Sequence, residues 1–262
     1  MTPQAALRWA GSSWFAVAIA GQLVFAFYTA ALYTPGALRG DLASWNKRLP
    51  HGYVPGDFAG NAAVVLHLFW AFVILVTGGV QLLPVIRQRW PALHRWSGRT
   101  YMVSALVASV AGLIMVWTRG TVGGVAQHVS ISINGILIIG CALMAWRFAR
   151  LRRFVEHRAW ALRLFLVASG VWFFRVGLML WLAIHRAPVG FDPKSFTGPF
   201  LAFLAFGQFL LPLAALEVYL RAQNGWGPIG RYSVAGALVI VTLLTMGGVA
   251  AATFGMWLPR LR

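Results

Sequence analysis

Apolar residues along the chain gather into seven segments, separated by short polar or basic stretches. A membrane-spanning helix needs about 20 mostly apolar residues, because each residue rises about 1.5 Å across a hydrocarbon core about 30 Å thick. Every segment is close to this length, so the pattern predicts an all-α, polytopic membrane protein with seven transmembrane helices. The predicted spans run over residues 14–33, 62–86, 100–117, 129–146, 159–182, 200–220 and 234–257.

The segments between the spans are short, with one exception. Residues 34–60, rich in glycine, proline and residues of both charges, form a longer predicted loop. The whole chain, 1–262, is then one integral membrane domain. Within it we expect a central four-helix bundle of spans two to five over residues 61–186, with two peripheral helices over 197–257. The first apolar segment exceeds the usual apolar length of a signal peptide, about 7 to 15 residues, and is interpreted as a retained span.

Composition and charge agree with a membrane protein. Hydrophobic residues make up 60% of the chain, charged residues 10%, and the mean hydropathy is +0.73. The formal net charge of +17 does not indicate nucleic acid binding, because the basic residues lie in short gaps between apolar segments rather than on a soluble face. Lys and Arg number 13 on the side of the N-terminus (side A) and 8 on the opposite side (side B). Basic loops stay in the cytoplasm, so the N-terminus is predicted to be cytoplasmic and the C-terminus extracytoplasmic.

Four of the six histidines lie in or at the ends of spans two to five, at repeated spacings. His67 and His128, the side-B pair, are 61 residues apart, and His94 and His157, the side-A pair, are 63 residues apart. Both members of the side-A pair are followed directly by arginine and then, within three residues of the histidine, by tryptophan. This spacing indicates that the hairpin of spans two and three is repeated as spans four and five.

The repeat predicts that the histidines face each other in pairs. Neighbouring spans run in opposite directions, so both members of a pair begin helices that enter from the same side of the membrane. If spans two and four, and three and five, are diagonal in the bundle, two facing histidine pairs are stacked through the bilayer. Facing imidazoles are the axial ligands of a six-coordinate b-type haem. We therefore predict one or two haem b groups with iron ligands among His67, His94, His128 and His157, and the side-A pair is the more strongly indicated.

Small residues on the histidine-bearing faces are consistent with a flat macrocycle between the helices. They are Gly98, Ala105 and Gly112 after His94, Ala71 and Gly78 after His67, and Ser132 and Gly135 after His128. The alternative is that they line ordinary contacts between membrane helices, where small residues are also common.

Arg175 lies within the fifth predicted span, 18 residues after His157. Eighteen residues make five turns of a regular helix, so both side chains are expected on one face. A charge this deep in a membrane is costly unless it finds a partner or water. We predict that Arg175 pairs with a haem propionate near the level of the side-B pair. Four arginines on side A are predicted to hold propionates in the same way: Arg95, Arg99, Arg158 and Arg163.

Each of these predictions has a simpler alternative. The side-A histidines can be interfacial residues in basic loops, and the side-B histidines can make polar contacts between helices. Trp96 and Trp160 are typical membrane-interface anchors, with packing on a cofactor edge as the other interpretation. His51 and His185 lie in or beside side-B loops and are assigned no role.

Over about residues 60–180 the chain resembles a bacterial family of predicted multi-pass membrane proteins of unknown function. The matching features are His67, the segment His94-Arg95-Trp96 with Gly98-Arg99 and Tyr101, the segment His157-Arg158 with Trp160 and Arg163, and then Arg175. The resemblance implies a protein of the bacterial inner membrane. The fourth span of that family need not carry a histidine, so the resemblance supports the side-A pair more than His128.

The four-histidine layout also resembles the two-haem b561-type cytochromes, which pass electrons across membranes between ascorbate or quinol and an acceptor. We therefore predict a b-type haem protein that transfers electrons across or along the bilayer, with quinone as a further cofactor. Its expected partners are the lipid bilayer, a quinol and a redox partner protein. Likeness of fold alone does not transfer activity.

Two other classes of function compete with this prediction. The first is a non-redox transporter, or an assembly or interaction subunit, in which the histidines and Arg175 form a polar relay. The parallel repeat, and the lack of a mid-span proline in spans two to five, argue against a transporter. The second is a metal-dependent membrane enzyme, which would need nearby Asp or Glu ligands, and the membrane interior is nearly devoid of them. A single cysteine, Cys141, excludes a thiolate cluster.

Overall fold

The computed structural model describes residues 1–261, which form nine α-helices with a short 3-10 helix in the first loop and a π-helical turn near the C-terminus. No strand occurs among these residues. The helices are α1 (Pro3–Leu38), α2 (Phe58–Leu82), α3 (Pro84–Arg89), α4 (Pro91–Arg119), α5 (Gly124–Arg150), α6 (Phe154–Ala168), α7 (Gly170–His185), α8 (Pro199–Asn224) and α9 (Pro228–Ala252).

The prediction of an all-α membrane protein is confirmed. Six helices are long and apolar enough to cross a membrane: α1, α2, α4, α5, α8, and α9 with its short C-terminal extension. The fifth predicted span is made by α6 and α7, which are bent by 53° at a break after Ala168. Counted as one span, this pair brings the number to seven.

Local chemistry at the helix ends explains where the spans begin. Five helices have proline in their first turn, a position at which its missing N–H costs nothing. Pro91 is one of these prolines, and it begins α4 nine residues before the predicted start of the third span at residue 100. His94 therefore lies inside α4. The carboxylate of Asp57 caps α2 by accepting a hydrogen bond from the backbone N–H of Gly60, with an N to O distance of 2.9 Å.

Four helices pack in a ring that corresponds to spans two to four and the first half of span five. Helix α2 packs against α4, α4 against α5, and α5 against α6, and α6 closes the ring on α2. The diagonals are therefore α2 with α5 and α4 with α6. A core cluster that includes Tyr101, Ala105, Cys141, Leu164 and Phe209 fills the interior.

The second half of span five leaves this bundle, which differs from the predicted straight helix. Helix α7 packs against α9 and α8, and α9 packs extensively on α1. These contacts build a second core around Phe25, Tyr28, Trp172 and Trp257. The predicted bundle over 61–186 is therefore correct only as far as Ala168, and α9 is an integral part of the fold rather than a peripheral helix.

Candidate functional site

Tyr101 and Leu164 show how the side-A histidines are oriented. Both side chains belong to the same buried cluster, at 5% and 1% exposure. Tyr101 is seven residues after His94, and Leu164 is seven residues after His157. Seven residues turn a helix to within about 20° of two full turns, so each histidine lies on the same face as its cluster residue, about 10.5 Å nearer side A. Each histidine is also the fourth residue of its helix, so both lie near the side-A ends of α4 and α6, on the faces that turn toward the cluster.

The hydrogen bonds of the side-A pair leave ring nitrogens open. Nδ1 of His157 lies 2.9 Å from the carbonyl oxygen of Ala145 in α5. A carbonyl can only accept, so Nδ1 carries the proton and Nε2 keeps its lone pair. Nδ1 of His94 is buried and has no hydrogen-bond partner among the described residues. The two rings are within electrostatic range of each other.

His67 has the same type of backbone bond as His157. Its Nδ1 lies 2.8 Å from the carbonyl oxygen of Ala108 in α4. The ring also fills the space beside Gly112, where an added Cβ would lie 3.1 Å from it. Gly112 therefore makes room for an imidazole of the neighbouring helix and does not border an open cleft.

His128 is not at the same depth as His67. Its ring packs edge-on against Trp117 of α4, with centroids 4.7 Å apart. Trp117 is five and nine residues beyond Gly112 and Ala108, the positions that His67 contacts on the same helix. These backbone positions differ by about 7 to 13 Å along α4. One flat haem cannot take axial ligands at such different depths, so the expected facing of the side-B pair is not met.

Other small residues that were expected to border a macrocycle also contact side chains of neighbouring helices. A Cβ added to Gly98 would lie 2.8 Å from Oε1 of Gln81. At Gly78 it would lie 3.1 Å from Tyr101, and at Gly135 it would lie 3.1 Å from Leu113. These contacts favour the alternative interpretation, in which small residues allow close helix packing.

The four side-A arginines that were predicted to hold propionates divide into three groups. Arg95 and Arg158, beside the two histidines, are exposed. Arg99 stacks on the indole of Trp96, which is 67% exposed, as expected of an interface anchor. Arg163 forms the third group, because it pairs with a carboxylate of the chain.

Arg163 bonds a carboxylate of the chain itself. Its Nε donates to Oε1 of Glu217 in α8 at 2.7 Å, and its guanidinium stacks on Trp160. Arg163 therefore has a carboxylate partner within the chain, and its role toward a haem propionate stays a prediction. The pair connects α6 to α8.

The predicted position of Arg175 is wrong. The bend after Ala168 ends the regular helix that would have placed Arg175 and His157 on one face. Arg175 lies instead in α7, with its guanidinium 5.2 Å from the centre of the Phe25 ring in α1. This location is in the second core, away from the bundle that contains the histidines.

A match to a family model covers residues 64–211, which is more than half of the chain. The matching family is described as predicted membrane protein (DUF2306). The chain belongs to this family. The matched part of this DUF2306 member extends from α2 into α8 and includes the four histidines and the bend. No curated protein and no solved structure matches the chain.

The bend of this DUF2306 member is surrounded by polar side chains that sequence reasoning missed. The Nδ2 of Asn134 donates to the carbonyl of Val167 at 3.1 Å, and the amide of Gln22 donates to Oγ of Ser169 at 2.9 Å. Gln208 lies at the same bend, with its Oε1 3.5 Å from the position of a Cβ on Gly170. Uncharged amides inside apolar segments were the available signal, and only their convergence from α1, α5 and α8 reveals the site.

Proposed function

We propose that the protein is a b-type haem protein that takes part in electron transfer, with a single haem on side A between α4 and α6. The observation that supports the proposal is the equivalent position of His94 and His157, each the fourth residue of its helix and seven residues before a member of the core cluster. Two imidazoles on the inward faces of diagonal helices would fit the ligation of one haem iron. The side-B pair does not fit a second haem, since its rings contact α4 at different depths.

The chain's own residues have distinct roles in this proposal. His94 and His157 would hold the haem iron, and the bond from Nδ1 of His157 to the Ala145 carbonyl fixes that ring while leaving Nε2 free to coordinate. Arg95 and Arg158, exposed at the same end, would balance the charge of the propionates. Bound haem would supply a one-electron redox couple, and its potential would depend on the apolar shell below it.

The position of the site limits which phases could exchange electrons with the haem. A single haem near side A would connect the bilayer with the aqueous phase on that side, and would not by itself carry electrons across the membrane. Side A is the cytoplasmic face if the distribution of basic residues has determined the topology. In the bilayer, a quinol would be the electron donor or a quinone the electron acceptor, and a redox partner protein at the inner-membrane surface would be the other reactant. Quinone is thus the second proposed cofactor.

The test is an oxidised-minus-reduced absorbance spectrum of the purified protein and of three variants. The proposal expects a Soret shift and an α band in the wild type, both lost in His94→Ala and in His157→Ala. His128→Ala is the matched control, because it removes an imidazole of the same bundle and should keep the spectrum. A colourless wild type, or equal pigment in all three variants, would reject the proposal.

The bend in span five favours a second candidate, a transporter or polar relay. Transporters often place their binding sites at broken helices near the middle of the membrane, surrounded by polar groups. The bend at Ser169, with amides from three other helices, has this character. It also removes part of the argument against a transporter, which assumed an unbroken fifth span.

Thiol labelling separates the two candidates. Ser169→Cys, in a background with Cys141→Ala, is exposed to a membrane-impermeant thiol reagent from each side of sealed vesicles. A transporter with alternating access should be labelled from both sides. Labelling from neither side would indicate that the bend is structural and would leave the haem proposal as the sole candidate.

A further inference from the structure

Arg175 has fewer partners than a guanidinium inside a membrane requires. It is ten residues before the end of α7, or about 15 Å from the side-B end of that helix. Its five N–H donors make a single hydrogen bond among the described residues, to the carbonyl oxygen of Val171 at 3.2 Å. Its other neighbour is the face of Phe25. A cation in apolar surroundings is stable only with a counter-charge or water.

No side-chain carboxylate of the chain supplies this counter-charge. The sequence contains five Asp and Glu residues, and the structure describes all of them. Each bonds other groups: Asp41 to the N–H of Ser44, Asp57 to Arg119, Glu156 to Arg153, Asp192 to the N–H of Lys194, and Glu217 to Arg163. The partner of Arg175 therefore comes from outside these side chains.

More hydrogen-bond donors and a second cation lie close to Arg175. Tyr28 and Tyr33 of α1, and Arg260 beyond α9, are within its electrostatic range. The indole of Trp257 is 0% exposed, yet its Nε1 has no hydrogen-bond partner among the described residues. This ring packs against Phe25 and Tyr28, with centroids 5.2 and 6.2 Å away. Trp257 ends a π-helical turn, a form that occurs frequently at functional sites.

The surroundings of Arg175 are formed by α1, α7 and the segment after α9. Helix α7 packs closely on α9 and α8. Toward α1, α7 places Trp172 against Gly21, Phe173 against Trp14 and Arg175 against Phe25. The walls are mostly aromatic and apolar, and the polar groups are donors and cations. This combination suits a ligand with one anionic end and an apolar body.

We propose that the Arg175 site, formed by Arg175, Tyr28, Tyr33, Trp257 and Arg260, binds the oxyanion of an amphiphile from the bilayer. The ligand is the phosphate of an anionic phospholipid or the carboxylate of a fatty acid, with its acyl chain along the aromatic wall. Arginine binds both groups through charge-assisted hydrogen bonds. A free aqueous anion is a weaker candidate, because it would lose its hydration without the apolar contacts that offset the cost. The site is separate from the side-A histidines and does not depend on haem.

The experiment is native mass spectrometry of the full chain in a neutral detergent. Wild-type protein is titrated with phosphatidylglycerol, with oleate, with diacylglycerol, which has the acyl chains but no oxyanion, and with glycerol phosphate. We expect tight binding of one phosphatidylglycerol or one oleate, and at least about tenfold weaker binding of diacylglycerol, as the loss of a charge-assisted bond predicts. Glycerol phosphate should not displace the lipid.

Variants assign the binding to Arg175. Arg175→Gln should weaken phosphatidylglycerol binding at least about tenfold, whereas Arg39→Gln should not. Arg39 is the control because it is an exposed arginine at the side-B end of α1. If Arg175→Gln does not fold, Arg175→Lys and Trp257→Phe provide the comparison, since each keeps most of the side chain and loses part of the donor set.

Three outcomes would overturn the proposal. The first is equal affinity for phosphatidylglycerol and diacylglycerol, and the second is equal affinity of the folded Arg175 variant and Arg39→Gln for phosphatidylglycerol. The third is displacement of the lipid by glycerol phosphate at similar concentration, which would show a site for a soluble anion. None of these results depends on whether the preparation contains haem, so failure here is distinguishable from failure of the electron-transfer proposal.

Discussion

Arg119, the last residue of α4, lies 2.7 Å from a carboxylate oxygen of Asp57, the residue that caps α2. The guanidinium also donates to the carbonyls of His51 and Gly52, and to Oδ1 of Asn61. Its side chain is only 8% exposed. One arginine thus fastens the side-B loop to the ends of two spans.

Replacing this arginine should loosen the loop. Arg119→Gln removes the ion pair and the donor to the carbonyls of His51 and Gly52, so the melting temperature should fall. The decrease should be moderate because Asp57 is 39% exposed and water screens the pair. Thermal unfolding in detergent, with Arg39→Gln as the control, measures the change. Equal melting temperatures for the two variants would contradict this role.

The same pair gives a pH dependence of stability. The hydrogen bond from Arg119, with that from the Gly60 N–H, lowers the pKa of the Asp57 carboxyl below its ordinary value. A lowered folded-state pKa stabilises the protein fully above the unfolded-state value of about 3.9, and this stability is lost as pH falls through the folded-state pKa. The melting temperature of the wild type should therefore exceed that of Asp57→Asn at pH 7, and the difference should shrink below about pH 4. A difference that stays constant with pH would show that the carboxylate charge is not involved.

Gly21 of α1 should be intolerant of a larger side chain. A Cβ there would lie 2.7 Å from a methyl of Val249 and 2.8 Å from the ring of Trp172, which is 1% exposed and cannot move aside. We expect Gly21→Ala to destabilise the protein by about 1 to 3 kcal/mol. Gly140→Ala is the control, since no atom lies within 4 Å of its added methyl. It should be neutral or stabilising by up to about 1 kcal/mol, as alanine favours a helix.

Asn134 should stabilise the bend in span five. Its Nδ2 donates to the Val167 carbonyl at a buried position. Asn134→Ala leaves this carbonyl unsatisfied, so the free energy of unfolding should drop by about 1 to 3 kcal/mol. Ser132→Ala on the same helix is the control, because Oγ of Ser132 bonds only the carbonyl of His128 within its own helix. Equal melting temperatures of the two variants would show that the Asn134 hydrogen bond does not stabilise the bend.

The seven spans, and the start of α4 at Pro91, could be predicted because hydropathy and proline chemistry act locally. The bend after Ala168 was missed because the apolar run continues through it without proline, although the Ser169-Gly170 pair at the break is a type of sequence at which helices kink. The hydrogen bonds of Asn134 and Gln22 at the bend could not be predicted, because these residues come from other helices. The pairing of Arg163 with Glu217 was missed for the same reason, as 54 residues separate the two.

The histidines also show which features could be predicted from the sequence and which could not. The 63-residue spacing predicted that His94 and His157 occupy equivalent positions, and the shared cluster of Tyr101 and Leu164 agrees with it. The 61-residue spacing of His67 and His128 suggested the same for side B. The spacing did not predict the contacts of these two histidines, because the depth of each ring in the membrane depends on how α2 and α5 pack against α4. This packing cannot be read from the number of residues between the histidines.

Low-temperature electron paramagnetic resonance of the oxidised protein, with haem quantified per chain, identifies the side chains that ligate the iron. We expect one haem per chain with the low-spin signal of two imidazoles, converted to high spin or lost in both His94→Ala and His157→Ala. A high-spin wild type, two haems per chain, or a low-spin signal that survives either substitution would overturn the assignment of His94 and His157 as ligands.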